Sequence, residues 1–120
     1  MKICIPIKDE KSFQVCNDIN NTPNILIFDT NTKNFYVKNT SEMNLGRIVD
    51  YLLDNNISRL ISNVSVIHHH KYIACRDIII YKPNVSVDAF SNINLFSANR
   101  LVIDQKNIEN IVKISWKLKS

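Results

Sequence analysis

The residues that usually punctuate or staple a small protein are scarce here: 120 positions hold one glycine, three prolines, one tryptophan and three cysteines. A phosphate-cradling loop needs several glycines and a nucleophile elbow needs two, so a single glycine leaves neither motif, and no His-Glu-x-x-His zinc signature occurs. Cys4, Cys16 and Cys75 are odd in number and far apart, with no Cys-x-x-Cys pair. Neither a disulfide framework nor a zinc knuckle is encoded, and reduced thiols are expected. No apolar run approaches the roughly 20 residues of a membrane helix. Met1-Lys2 leads straight into Ile3-Cys4-Ile5-Pro6-Ile7, too short for a signal-peptide core, so we expect a cytoplasmic protein without a membrane partner.

What is present is ordinary for one globular domain. Apolar residues make up 45% and charged residues 22%, a balance that favours a packed core over disorder. The net charge of +4 and pI near 9.0 raise a nucleic-acid partner as an idea, since clustered cations gain from counterion release. The cations are scattered, however, and the only enrichment is the tail with Lys113, Lys117 and Lys119, where Trp116 alone offers a stacking ring. Nucleic-acid binding is therefore disfavoured. Ile and Asn are used heavily, a bias we ascribe to genome composition.

Alternating Ile3, Ile5 and Ile7 predict a buried strand, and the polar, aperiodic residues 8–21 a loop. Residues 24–29 and 34–38 are β-rich runs around Thr30-Asn31-Thr32-Lys33, which predicts a hairpin. Ser41 precedes Met43, Leu45, Ile48, Val49, Leu52 and Leu53, a helical stripe with a Ser cap and an Asn55-Asn56 stop. A strand over 58–62, a helix over 65–76 packed through Val66, Ile73 and the turn of His70, and a strand over 78–81 follow. Strand, helix, strand at that spacing predicts a right-handed parallel crossover. Residues 85–96 suit another amphipathic helix capped by Ser86. Leu101-Val102-Ile103 reads as a strand, and Ile108, Ile111, Val112 and Leu118 as a last helix docked by Trp116.

This order, with several short motifs, resembles the dinitrogenase iron-molybdenum cofactor biosynthesis family, which comprises NifX-type carriers, the NafY-type core and the C-terminal part of NifB-type proteins. The opening Met-Lys-Ile-Cys-Ile-Pro-Ile-Lys-Asp is similar to the family's first strand, and Val15 to Asp29 to its loop and Pro-x-x-Leu-Ile-Phe-Asp strand. Asn56-Ile57-Ser58-Arg59-Leu60-Ile61, then Asn63, resembles the strand ending in a Gly-Asn-Ile-Gly-Pro turn, and 85–96 the Thr-Val-Glu-Glu-Ala helix. The likeness covers about residues 1–96 and leaves the last 24 unexplained. It implies an α/β, ribonuclease H-like fold: a mixed sheet of about five strands flanked by helices, here with an extra C-terminal helical segment. It also implies a carrier for an iron-sulfur or iron-molybdenum cluster, working with a cluster-donor or acceptor protein rather than as an enzyme.

The departures fall at the site. Where the family carries Ser-Glu-His-Phe-Gly, this chain has Cys16-Asn17-Asp18-Ile19-Asn20, so Asp18 stands at the ligating His position, and the Gly-rich turn becomes Asn63-Val64-Ser65-Val66-Ile67. A fold can persist while its ligands change. Cys16 is the strongest single ligand candidate, because a thiolate is soft and suits metal-sulfur clusters. The plainer reading is a small, half-buried loop residue. Asp18 is a second candidate against the plainer reading of a solvated carboxylate, and Asn63 a third cofactor contact. His68-His69-His70 looks like a chelating tract, yet helical neighbours point about 100° apart and cannot share one site. His70 is expected to be buried, His68 most exposed and His69 between, with His69 or His68 the metal candidates. Cys4 and Cys75 are expected in the core. Asp29, Asp50 and Asp54 do not promise the converging carboxylates a nuclease needs. The alternative is a divergent protein-interaction or dimerisation module without metal.

Overall fold

A computed structural model describes residues 1–104; the final helix expected around Trp116 and the basic tail lie outside the described residues. Eight elements follow in chain order: β1 (Lys2–Ile7), β2 (Asn24–Asp29), β3 (Phe35–Asn39), α1 (Leu45–Asp54), β4 (Ile57–Ile61), α2 (Ile67–Ala74), β5 (Ile79–Tyr81) and α3 (Ala89–Ser97). The strands form one five-stranded sheet in the order β3-β2-β1-β4-β5. β1 and β2, and β2 and β3, are antiparallel, whereas β4 runs parallel to both β1 and β5. The chain is thus an α/β fold with a mixed sheet flanked by three helices, as expected.

Side chains alternate across a strand, and the sheet divides two cores accordingly. Ile3, Ile5, Ile7, Leu26 and Ile61 face Ala89 and Ile93 of α3. Cys4, Ile25, Ile27, Leu60 and Ile80 face Ile48, Val49 and Leu52 of α1 and Ile73 of α2. β1 is central and its last five residues are all buried, Pro6 included. One register shift, between Lys2 and Ile3, makes Lys2 pair with Ile57 and Ile3 with Arg59, so that Ser58 is an extra residue in β4.

Element ends differ from expectation by a few residues, for local reasons. Asn44, not Ser41, caps α1: its side chain accepts from the Arg47 amide at 2.9 Å, while Ser41 is bonded to Asn39. Asp88, not Ser86, caps α3 by accepting from the Ser91 amide at 2.8 Å, while Ser86 is bonded to Asn84. α2 starts at Ile67 rather than at 65, and Val66, expected to pack on the sheet, is 40% exposed. Cys75, expected in the core, is exposed just past the end of α2. Leu101-Val102-Ile103 lies along β5 through a single Tyr81 to Ile103 bridge, with the Lys82 amide donating to Val102 and the Asp104 amide to Ile80.

Candidate functional site

The site begins as a consequence of topology. From β1 the chain builds outward to β2 and β3 on one side, then returns to lay β4 and β5 on the other. The order therefore reverses between β1 and β4. In open α/β sheets the crevice outside the carboxyl ends of strands at such a switch point is the preferred ligand position, because the two following loops diverge there. Here those loops are residues 8–23 after β1 and 62–66 after β4.

The first loop is long but firmly tied. Its start folds back on β1, with the Lys8 amide donating to Gln14, Val15 bridging Ile7 and the Cys16 amide donating to Pro6 at 2.9 Å. Asp9 closes the tip by accepting from the amides of Lys11 and Ser12, and these bonds, Ser12 foremost, hold its carboxyl below the usual carboxylate range. The Phe13 carbonyl accepts from the first amide of α3. Ile19 is fully buried in the core beneath α1 and α2, an anchor of the second half.

The two loops are clasped to each other. Asp18 and Asn63 form a parallel bridge, and the Asn63 side-chain amide donates to Asn17 at 2.9 Å. Asp18 Oδ2 accepts from both the backbone amide and the hydroxyl of Ser65, at 3.0 and 2.6 Å, while Oδ1 accepts from the Asn20 amide at 2.9 Å. Both carboxylate oxygens are thus committed to the protein. Asp18, a ligand candidate in the sequence, is a hydrogen-bonded latch between the loops, and Asn63 has its amide in the same clasp. Asn17 and Ser65, unremarked in the sequence, are the partners that complete it.

Cys16 sits at the edge of this clasp, half-buried, its thiol directed at the Asp18 carbonyl at 3.8 Å. Of the other thiols, Cys4 is wholly buried and its ionisation is pushed far up by loss of solvent. The histidines are graded as expected: His68 is exposed, His69 half-buried and His70 fully buried. His69 Nδ1 is covered and has no hydrogen-bond partner among the described residues. His70 Nε2 lies 3.5 Å from Asp104 Oδ1, which ties α2 to the segment after α3. Its position is structural, so at most His68 and His69 are free to meet a ligand. No group of three His, Cys, Asp or Glu side chains able to hold a metal occurs among the described residues. Asp50 and Asp54 are exposed on α1 and Asp29 closes the hairpin turn, so these carboxylates do not converge.

This arrangement defines a class: a mixed-sheet α/β domain whose two switch-point loops are laced together beside one accessible thiol. Solved structures share the fold. One, described as a candidate NifB protein from Thermotoga of the DUF35 family, superposes with a TM-score of 0.71 at 18% identity, covering 85% of this chain and 91% of its own. Another, the apo form of the orange protein from Desulfovibrio gigas, superposes at 0.76 and 7% identity, covering 87% and 92%. At these identities the likeness is one of fold. No protein-family model and no curated protein matches the sequence. Among the described residues no helix is long and apolar enough to cross a membrane.

Proposed function

We propose that the protein is a carrier that takes an iron-sulfur or iron-molybdenum type cluster as cargo at the clasped loops, anchored by the Cys16 thiolate, and passes it to an acceptor protein. The observation that carries this reading is the place of Cys16: a half-buried thiol where the order of the sheet reverses, on loops whose backbone is already fixed. The kinship to a fold that includes a NifB-type protein, and a second protein described in an apo form, supports a cofactor-related role. The donor set agrees with cargo better than with a resident group. A closed site would need several convergent ligands, and here one soft donor is offered while Asp18 is held by Ser65 and Asn20. His68 or His69 would supply a second ligand from the start of α2. Positions left open on the cluster are those an acceptor's ligands can take, so the carrier acts by binding and release and not by catalysis.

The test is anaerobic reconstitution of the full chain with iron and sulfide. Charge-transfer absorption is expected in the wild type and in Cys75→Ala, and its loss in Cys16→Ala. A chromophore indifferent to Cys16→Ala removes Cys16 from the site. The Asp18 latch favours a second reading, a metal-free interaction module that keeps the fold: untagged protein purified anaerobically would then hold no metal yet form a stable complex in a pull-down.

A further inference from the structure

The geometry points to a homodimer formed by antiparallel pairing of β3 with β3 of a second copy about Val37, joining two five-stranded sheets into one of ten strands. The argument starts from the two edges of the sheet. The β5 edge is shielded by the chain itself, since residues 102 and 104 exchange hydrogen bonds with Lys82 and Ile80. The β3 edge has no such cover among the described residues.

Register shows which groups that edge presents. β3 pairs with β2 as Phe35 to Phe28, Tyr36 to Ile27, Val37 to Leu26, Lys38 to Ile25 and Asn39 to Asn24. Just beyond the strand's ends, the Asp29 amide donates to Asn34 and the Thr40 amide to Pro23. Both are directly opposed residues, so both are hydrogen-bonded pairs, and such pairs alternate with non-bonded ones along an antiparallel ladder. Residues 34, 36, 38 and 40 therefore turn their amides and carbonyls toward β2. Phe35, Val37 and Asn39 turn theirs outward, three donors and three acceptors in a row.

A second copy satisfies all six groups at once. With Val37 on the two-fold axis, Val37 opposes Val37 of the other copy and Phe35 opposes Asn39, each a hydrogen-bonded pair, six bonds in total by this geometry. The intervening non-bonded pairs place Tyr36 of one copy opposite Lys38 of the other, where side chains approach most closely and the Lys38 stem, whose ammonium lies over Tyr51 of its own chain, offers apolar surface to the ring. Tyr36 is 43% and Phe35 46% exposed, so both have surface to bury. Natural edges are usually guarded by an outstretched lysine, a proline or a bulge. Here β3 has no proline and no register break, and its one lysine is folded back over the Tyr51 ring at 4.7 Å. The strand is self-complementary, and among the described residues nothing guards it.

Sedimentation equilibrium of the full chain, with Val37→Pro beside it, tests this. Proline removes an outward amide and leaves the ladder to β2 intact, the one kind of strand position where it is tolerated, at the cost of some of the packing that Val37 makes on the core beside α3. The wild type is expected to sediment as a dimer and Val37→Pro as a monomer with unchanged far-UV circular dichroism. A monomeric wild type, or a dimer that survives Val37→Pro, overturns the pairing. Amide hydrogen exchange decides without any variant. In the proposed dimer the amides of Phe35, Val37 and Asn39 are protected like those of Tyr36 and Lys38. Fast exchange at 35, 37 and 39 beside slow exchange at 36 and 38 overturns it even if Val37→Pro fails to fold.

Discussion

Asp18 shows how one side chain can lace two loops together. Its carboxylate accepts three hydrogen bonds, two of them from Ser65, which is 47 residues away in the chain. Bonds to a charged acceptor are worth more than neutral ones, though partial exposure screens them. We expect Asp18→Ala to cost about 1–2 kcal/mol in urea unfolding, and Ser65→Ala to cost much less once Asp18 is already gone, since the pair shares one interaction. Additive losses from the two substitutions would break the latch. Asp29 tests the same chemistry by pH. Its carboxyl is held below the ordinary 3.8 chiefly by the Asn31 amide, in the turn between β2 and β3. A lowered value in the folded state means that the contribution is present above the ordinary value and is lost as pH falls through the lowered one. The Asn31 amide shift, followed by NMR, should therefore titrate with a midpoint below 3.8; a midpoint at or above that value would contradict the turn geometry.

At the scale of elements, α1 carries the clearest prediction. Gly46 is the chain's one glycine and lies in the first turn of this helix. A methyl group there would meet Asn44 Oδ1 at 3.5 Å and the Tyr72 hydroxyl at 3.8 Å, both ordinary contact distances. Gly46→Ala should stabilise the protein by about 0.5–1 kcal/mol through helix propensity and a less disordered unfolded chain. Thermal melting reads it, and a fall in melting temperature would show that the space is not there. The contrasting change is Leu52→Ala, which should cost about 2–5 kcal/mol because Leu52 is fully buried between α1 and the sheet. Elements whose signal is periodic burial were legible in the sequence: the stripe of α1, the alternation of β1, the hairpin and the strand-helix-strand crossover. Caps were not, because Ser41 and Asn44, or Ser86 and Asp88, compete locally and the outcome depends on which side chain can reach an amide three residues on. Of the candidate site, only the meeting of its loops was legible. Cys16, Asp18 and Asn63 do come together, but Asp18's engagement depends on Ser65, a contact that exists only after β1 and β4 are laid side by side.

The whole molecule resolves the puzzle posed by so little glycine. Among the described residues six adopt left-handed backbone angles and none is glycine: Phe13, Asn21, Lys33, Asn56, Asp77 and Asn99. Three are asparagine, the side chain that tolerates this region best, which gives the Asn-rich composition a structural use at turns. Of the other three, the bulky Phe13 is the least suited to it, and Lys33 and Asp77 are the exposed pair. Each closes a turn, before β3 and before β5, at φ 64° and 62°, and each is exposed. β3 and β5 are opposite edges of the sheet, roughly 19 Å apart at the usual strand spacing, so the two sites should act independently. Replacing either residue by glycine removes a strain of about 1–2 kcal/mol but adds about 0.5–1 kcal/mol of unfolded-state entropy, with the smaller net gain at Asp77. The double variant Lys33→Gly with Asp77→Gly should therefore gain about 1 kcal/mol and melt roughly 4 °C higher. Asp54→Gly, placed in the last turn of α1 where the backbone is helical, should lose about 1 kcal/mol in the same assay. A double variant that melts below the wild type would mean that Lys33 and Asp77 stabilise their turns through their side chains, and that backbone strain is not what these positions carry.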